Sequence, residues 1–259
     1  MKVAALQMQP AGSIAANLAR ISEAARSAAA FGARLLVTPE MGVTGYAIWD
    51  DIPHLAQGRD GPIIQSIGEI SRTYNIAIAA GFPERDGETI YNAAVFAQPD
   101  GTCTFYRKCH LFGPLERGAF TPASALSPVI EYAGIKLAML ICYDVEFPEM
   151  VRSLALAGAE LLLVPTALPR GTPAAHVAQM MLPARAFENH VFIIYADLCG
   201  IENGTPYQGA SVIAGPDGGI FARAGATETL LLTVIDPENP DYTALDPYLA
   251  DRRPTLYRL

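Results

Sequence analysis

The stretch Leu137-Ala-Met-Leu-Ile-Cys-Tyr-Asp-Val-Glu-Phe-Pro-Glu149 constrains this chain more than any other. Residues 137–141 are an unbroken apolar run, which suits a strand buried on both faces, and such strands belong to layered α/β structures. The run stops at Cys142, with polar Asp144 and Glu146 close behind. Pro148 stands where a helix can begin, because its fixed φ and missing N–H suit the first helical turn. Met150, Val151, Leu154 and Gly158 continue at helical spacing. Cys142 is therefore expected on a strand-to-helix elbow, where a helix start favours negative charge and a thiol could be held as thiolate. A cysteine at a strand end can equally be a small buried hydrophobe, so the rest of the chain has to decide.

Along the chain, apolar runs alternate with helical patterns. Strands are predicted at the amino terminus (residues 1–8), then at 35–40, 76–82, 90–97, 102–110, 129–132, 161–167, 191–198, 210–214 and 230–235. Helices are predicted over 17–34, 61–75, 148–160 and 176–190. Several strands are sequence neighbours, so the sheets should be mixed rather than purely parallel. Residues 31–40, Phe-Gly-Ala-Arg-Leu-Leu-Val-Thr-Pro-Glu, echo residues 157–166, Ala-Gly-Ala-Glu-Leu-Leu-Leu-Val-Pro-Thr. Two similar halves of this kind could pack sheet to sheet as a four-layer sandwich. Residues 1–236 read as one domain, and 237–259, with prolines and tyrosines, as an extended arm.

Three strand ends carry side chains that can do chemistry: Glu40, Lys108 and Cys142. Thiol attack on a carbonyl needs a base for the thiol proton and a cation or amides for the developing oxyanion, and these residue types cover both needs without histidine. Each also has an ordinary reading, Glu40 as a loop carboxylate and Lys108 as a surface charge beside Arg107. Spacing does not show that they converge.

Pro39-Glu-Met-Gly-Val-Thr-Gly-Tyr46, Tyr106-Arg-Lys-Cys-His-Leu-Phe112 and Ile141-Cys-Tyr-Asp-Val-Glu-Phe-Pro-Glu149 resemble the three signature blocks of the nitrilase superfamily of carbon–nitrogen hydrolases, in the same order. The resemblance implies an α-β-β-α sandwich of two mixed sheets packed face to face, in a homodimer or higher homo-oligomer, with residues 237–259 a candidate interface arm. It implies a Glu40-Lys108-Cys142 triad, with Glu116, eight residues after the lysine, as a further catalytic acid. It also implies a thioester route in which the backbone N–H of Tyr143 helps to hold the oxyanion. The amidase branch is the nearest match, among 5-aminopentanamidase-like and R-stereoselective amidase-like enzymes. Val145 and Glu146 stand where N-carbamoyl D-amino acid hydrolases have arginine for the substrate carboxylate. An acid there would attract an ammonium, or could pair with a local arginine. Asp50 and Asp51 are alternative ammonium contacts. The expected activity is hydrolysis of a small aliphatic or amino-bearing primary amide. The alternatives are hydrolysis of an N-carbamoyl amine and, from another class, a non-catalytic thiol sensor or binding protein on the same fold.

Composition narrows the partners. The chain of 259 residues is 51% hydrophobic and 17% charged, with net charge −8. Lysine and arginine are scattered, so neither nucleic acid nor an anionic membrane is an expected partner. No apolar run reaches the ~18 residues of a membrane span. The four cysteines show no CxxC, the four histidines no metal-ligand spacing, and neither GxGxxG nor GxxxxGK[ST] occurs. A reduced, cytoplasmic enzyme without metal or other cofactor is the expectation.

Overall fold

The predicted strands pair into two six-stranded mixed sheets; the computed structural model describes residues 1–243 and 247–257. From edge to edge the first sheet runs Thr229–Val234, Lys2–Gln7, Leu35–Val37, Ala77–Asp86, Thr89–Ala97 and Cys103–Arg107. The second runs Ile130–Tyr132, Ile135–Met139, Leu161–Thr166, Phe192–Asp197, Val212–Ala214 and Ile220–Arg223. Taken in these orders, both sheets pass through the same series of pairings: antiparallel, parallel, parallel, antiparallel, antiparallel. The echo between residues 31–40 and 157–166 falls on the third strand of each sheet, so the two halves repeat in structure as well as in sequence.

Side chains alternate across a pleated strand, and here each face of the first sheet has its own partner. Val3, Ala5, Leu35, Val37, Ala77 and Ala79 join a core shared with the second sheet. Their neighbours Ala4, Leu6, Leu36, Ile78 and Ala80 pack with helices Ile14–Ala30 and Pro62–Tyr74. Helices Pro148–Leu156 and Leu182–Asn189 place Val151, Leu154, Leu182 and Ala186 against the second sheet. The layers therefore run α-β-β-α. Helix boundaries follow the local chemistry: Ser13 caps Ile14–Ala30 by accepting from the Ala16 N–H at 3.2 Å, and Pro62 and Pro148 open their helices.

Three local differences from the sequence reading bear on function. Strand pairing ends at Met139, and Cys142–Glu146 forms a 3₁₀ turn before the helix opens at Pro148. Cys142 thus stands six residues before a helix that opens at Pro148 as expected, and the elbow between them is a 3₁₀ turn. The single helix expected over 176–190 is built as Thr172–His176, a π turn Val177–Met181, and Leu182–Asn189. Pro183 has no N–H to give to the preceding turn, which is where a π turn can be absorbed. The helix Gly113–Ala119, which carries Glu116, and the edge strand Ile220–Arg223 were not foreseen, being short and rich in glycine or exposed. Of the C-terminal segment, Tyr242 packs edge-on to Phe192 and Tyr248 to Phe187, with ring centroids 5.5 and 5.3 Å apart. Residues 244–246 and 258–259 of the expected arm lie outside the described residues.

Gly81 sits where the strand Ala77–Asp86 passes under the loop that carries Glu40. A Cβ there would lie 2.4 Å from the Met41 nitrogen, 2.8 Å from the Glu40 Cα and 2.9 Å from the Pro39 oxygen, all of them backbone. Gly81→Ala is therefore expected to cost about 1–3 kcal/mol, the usual penalty for overpacking. Gly118→Ala, in a helix with nothing within 4 Å of the added carbon, should be neutral or stabilising by up to ~1 kcal/mol. Urea unfolding of the two variants checks this, and equal midpoints would contradict it.

Candidate active site

Three chain segments leave the sheets at one place. Glu40 follows the strand Leu35–Val37 through Thr38 and Pro39, and the chain then turns at Met41, whose φ is 51°. Lys108 extends the edge strand by one residue, its N–H donating to the Asn92 carbonyl at 2.8 Å. Cys142 follows Ile135–Met139 in a left-handed conformation with φ 45°. That conformation costs a side-chain-bearing residue of order 1–3 kcal/mol and persists only where its surroundings hold it.

The side chains meet in the interior. Lys108 Nζ donates to Glu40 Oε1 and to Glu116 Oε1, each at 2.7 Å. Asn92 Nδ2 donates to Glu40 Oε1 at 2.7 Å, and the Ala167 N–H to Glu40 Oε2 at 2.9 Å. Glu116 accepts from the Tyr46 hydroxyl and from the Phe112 N–H, both at 2.6 Å. Glu40 and Glu116 are fully buried, and Lys108 and Cys142 are 1% and 6% exposed. The surface-charge reading of Lys108 and the solvated-carboxylate reading of Glu40 are thereby excluded.

One ammonium lies between two carboxylates in the buried interior, and burial together with these charges sets the proton affinities. Burial pushes the Glu40 carboxyl up to about 7; Lys108 opposes the rise and Glu116 adds to it. Burial works against the Lys108 ammonium, but Glu40 and Glu116 outweigh it and hold the proton above the ordinary lysine range. Burial also pushes the Cys142 thiol well above its ordinary value, and Glu40 pushes it further, against the pull of Lys108 and the Ala167 N–H. The thiolate that an elbow could have held is not favoured here. Burial first, and then Glu40 and Glu116, favour the neutral Cys142 thiol over the thiolate.

The remaining candidates divide. Tyr143 follows the nucleophile half-buried, with its ring edge-on to Phe112 and Phe147 at 5.3 and 4.9 Å. Glu146 is half-buried, and its carboxylate accepts no hydrogen bond from any described residue. Burial pushes it up, with Lys108 and Arg185 opposing. Arg185 donates instead to the carbonyls of Val145 (3.3 Å) and Glu146 (2.8 Å) and to the Glu188 carboxylate at 3.1 Å. Asp50 and Asp51 are exposed. Cys103, Cys109 and Cys199 are free thiols, the first two only partly buried.

Four residues around the site were not singled out from the sequence. Tyr46 and Asp144 stand inside the quoted blocks, and Asn92 is the one amide in a buried apolar strand. Asp197, like Glu40, ends a core strand; it is fully buried, accepts from the Leu168 N–H at 2.8 Å, and its second oxygen has no partner. Burial, with Glu40 adding, pushes its carboxyl well above the ordinary range.

The family model described as carbon–nitrogen hydrolase matches residues 2–241. A Pseudomonas protegens protein described as a hydrolase in the pqqF 5′ region is 45% identical over 264 residues, covering 99% of this chain and 90% of its own. An (R)-stereoselective amidase of a Pseudomonas species is 32% identical over 244 residues, covering 93% and 87%. The amidase from Nesterenkonia sp. AN1, solved in complex with butyramide, matches with a TM-score of 0.90 at 35% identity, covering 100% of this chain and 96% of that one. Another structure of that amidase shows acrylamide joined by Michael addition to its active-site cysteine.

Asp197 makes the stability of the fold depend on pH. Its carboxyl is protonated in the folded chain at pH values where the unfolded chain, near the ordinary 3.9, has ionised it. Its contribution is therefore whole below about pH 4 and is lost as pH rises toward the folded value. Asp197→Asn keeps the shape and removes the ionisation, so the variant is expected to gain stability over the parent at pH 8 and to lose that advantage near pH 4. Urea midpoints across pH test this, and a constant difference between the two chains would contradict it.

Proposed function

The chain belongs to the carbon–nitrogen hydrolase family and is an amidase of it, and we propose that its substrate is a small primary amide carrying an amine, cleaved to acid and ammonia through a Cys142 thioester. One observation carries this reading: a buried Glu40–Lys108–Glu116 assembly set against a neutral thiol. Glu40, poised near neutrality, takes the Cys142 proton as the sulfur attacks the amide carbon. Two of the three ammonium hydrogens of Lys108 are taken by carboxylates, leaving the third for the oxyanion together with the Tyr143 N–H. The C–N bond breaks as Glu40 returns its proton to the leaving ammonia, giving the thioester. Water then attacks and yields its proton to Glu40. The C–S bond breaks, and that proton restores the thiol. Glu116, braced by Tyr46 and the Phe112 N–H, holds Lys108 in place.

The amine follows from Glu146. A half-buried carboxylate with no donor of its own is complementary to an ammonium and repels a carboxylate. Two further proposals accompany this reading. Four free cysteines support a reducing, cytoplasmic setting, and no helix among the described residues is long and apolar enough to cross a membrane. A homodimer or higher oligomer, with residues 237–259 at the contact, is supported by Leu156, Met180 and Tyr248, which are 50%, 64% and 42% exposed.

Ammonia release from 5-aminopentanamide beside hexanamide, its uncharged near-isostere, tests the substrate. At least about tenfold preference for the amine is expected, ~1.4 kcal/mol, and Glu146→Gln should erase it. The rate should rise with pH through about 7, because Glu40 has to be ionised to accept the thiol proton. Equal rates discard the ammonium subsite. Release only from an N-carbamoyl amine selects the ureido alternative, and no release from any of them leaves the thiol-sensor reading. In sedimentation, the full chain should run as a dimer or larger and a chain ending at residue 236 as a monomer; a monomeric full chain overturns that assignment.

A further inference from the structure

One buried carboxylate beside the site has no part in the reaction scheme. Asp144 is fully buried. Its Oδ2 accepts the Tyr106 hydroxyl at 2.8 Å and the Ile141 N–H at 3.2 Å. Its Oδ1 accepts the His110 N–H at 2.9 Å and lies 2.9 Å from His110 Nδ1. The Asp144 N–H donates to the Ile141 carbonyl at 3.0 Å, closing the turn that carries Cys142. The His110 ring in turn stacks on Phe147 at 3.8 Å.

The positions of these partners give the pattern its meaning. Tyr106 lies two residues before Lys108 and His110 two residues after it, while Ile141 immediately precedes Cys142. Glu40 and Lys108 follow strands of the first sheet, and Asn92, which donates to Glu40, lies within one. Cys142 comes from the second sheet, as does the Ala167 N–H that donates to Glu40. At the site, the cation and the nucleophile thus belong to different halves of the sandwich, and the Asp144 carboxylate ties the backbone on either side of Lys108 to the turn that carries Cys142.

We propose that Asp144 is a positioning residue that fixes the Lys108 ammonium relative to the Cys142 sulfur and holds the left-handed elbow in place; this rests on the reading of the site given above. Neither oxygen is spare. An asparagine offers one oxygen and one NH₂, so in either orientation the NH₂ faces a backbone N–H, that of Ile141 or that of His110, and loses it, while the Tyr106 hydroxyl or His110 Nδ1 beside it has to change from donor to acceptor. Displacements near 1 Å at a reacting centre cost on the order of 10² in rate.

The test compares Asp144→Asn, Tyr106→Phe and the double variant with the parent. It reads kcat and KM on whichever amide the parent hydrolyses, and the pH midpoint of iodoacetamide alkylation at Cys142, followed by peptide mass. Cys142 is faced by Glu40, Lys108 and Glu116, and Lys108 is the one that favours its thiolate, so releasing Lys108 moves the alkylation midpoint to higher pH. Loss of fold stability alone would leave that midpoint in place. Asp144→Asn is expected to lower kcat about 100-fold with KM within about threefold, and Tyr106→Phe to lower kcat about tenfold. The double variant should be no worse than Asp144→Asn, since both act through one clip. An Asp144→Asn enzyme within threefold of the parent in kcat, or with an unmoved midpoint, overturns the proposal. If Asp144→Asn does not fold, an unmoved kcat and midpoint in Tyr106→Phe overturn it alone. A parent without amidase activity would sink the substrate reading and leave the alkylation midpoints to decide this one.

Discussion

An ammonium ion held between two carboxylates, all three side chains fully buried, is the arrangement to which the rest of the interior answers. Removing Lys108 from water costs several kcal/mol unless partners replace its hydration, and Glu40 and Glu116 do so at 2.7 Å each. Burial keeps the Cys142 thiol protonated and brings Glu40 to the edge of protonation near neutral pH, with Lys108 opposing both shifts and Glu116 adding to them. The group that has to accept a proton and the group that has to give one are set by the same burial. Neutral donors complete the arrangement without altering its charge: Asn92 and the Ala167 amide on Glu40, Tyr46 and the Phe112 amide on Glu116.

Backbone close approach makes that arrangement possible. The loop carrying Glu40 runs so near the strand Ala77–Asp86 that only a glycine fits at position 81. Glu202 grips the same loop from the other side, accepting from the Tyr46 and Ala47 N–H groups at 3.0 and 2.7 Å. The Tyr207 hydroxyl steadies Glu202 in turn at 2.6 Å. The short hairpin that carries Glu202 therefore acts on the site through Tyr46 and Glu116, well away from the reacting atoms.

Much of this was legible in the chain itself. Long buried strands advertise themselves by apolar runs, and Leu161–Thr166 and Phe192–Asp197 were placed within about a residue. The repeat of Gly-Ala followed by a strand and a proline pointed to two like halves, and their matching pairings bear that out. Glu40, Lys108, Glu116 and Cys142 could be named through motif likeness, but their convergence could not be read from spacing, since residues 40 and 142 meet only through packing of separate sheets. The protonation of Cys142 could not be read from the elbow, because a turn before a helix suggests a helix dipole. The intervening 3₁₀ turn and the carboxylates across the sheet interface reverse that expectation. The helix Gly113–Ala119 escaped notice because seven residues with two glycines and a proline carry little periodic signal.

The order of strands also governs when the thiol becomes dangerous to its surroundings. Base and cation belong to a sheet whose edge strand, Thr229–Val234, pairs with the first strand of the chain, while the nucleophile belongs to the other sheet. That first sheet cannot be finished until nearly the whole polypeptide exists, and Cys142 meets its base only after the two sheets dock. A half-made or partly opened chain therefore carries a thiol of ordinary reactivity, and its nucleophilic power arises at the last step of assembly.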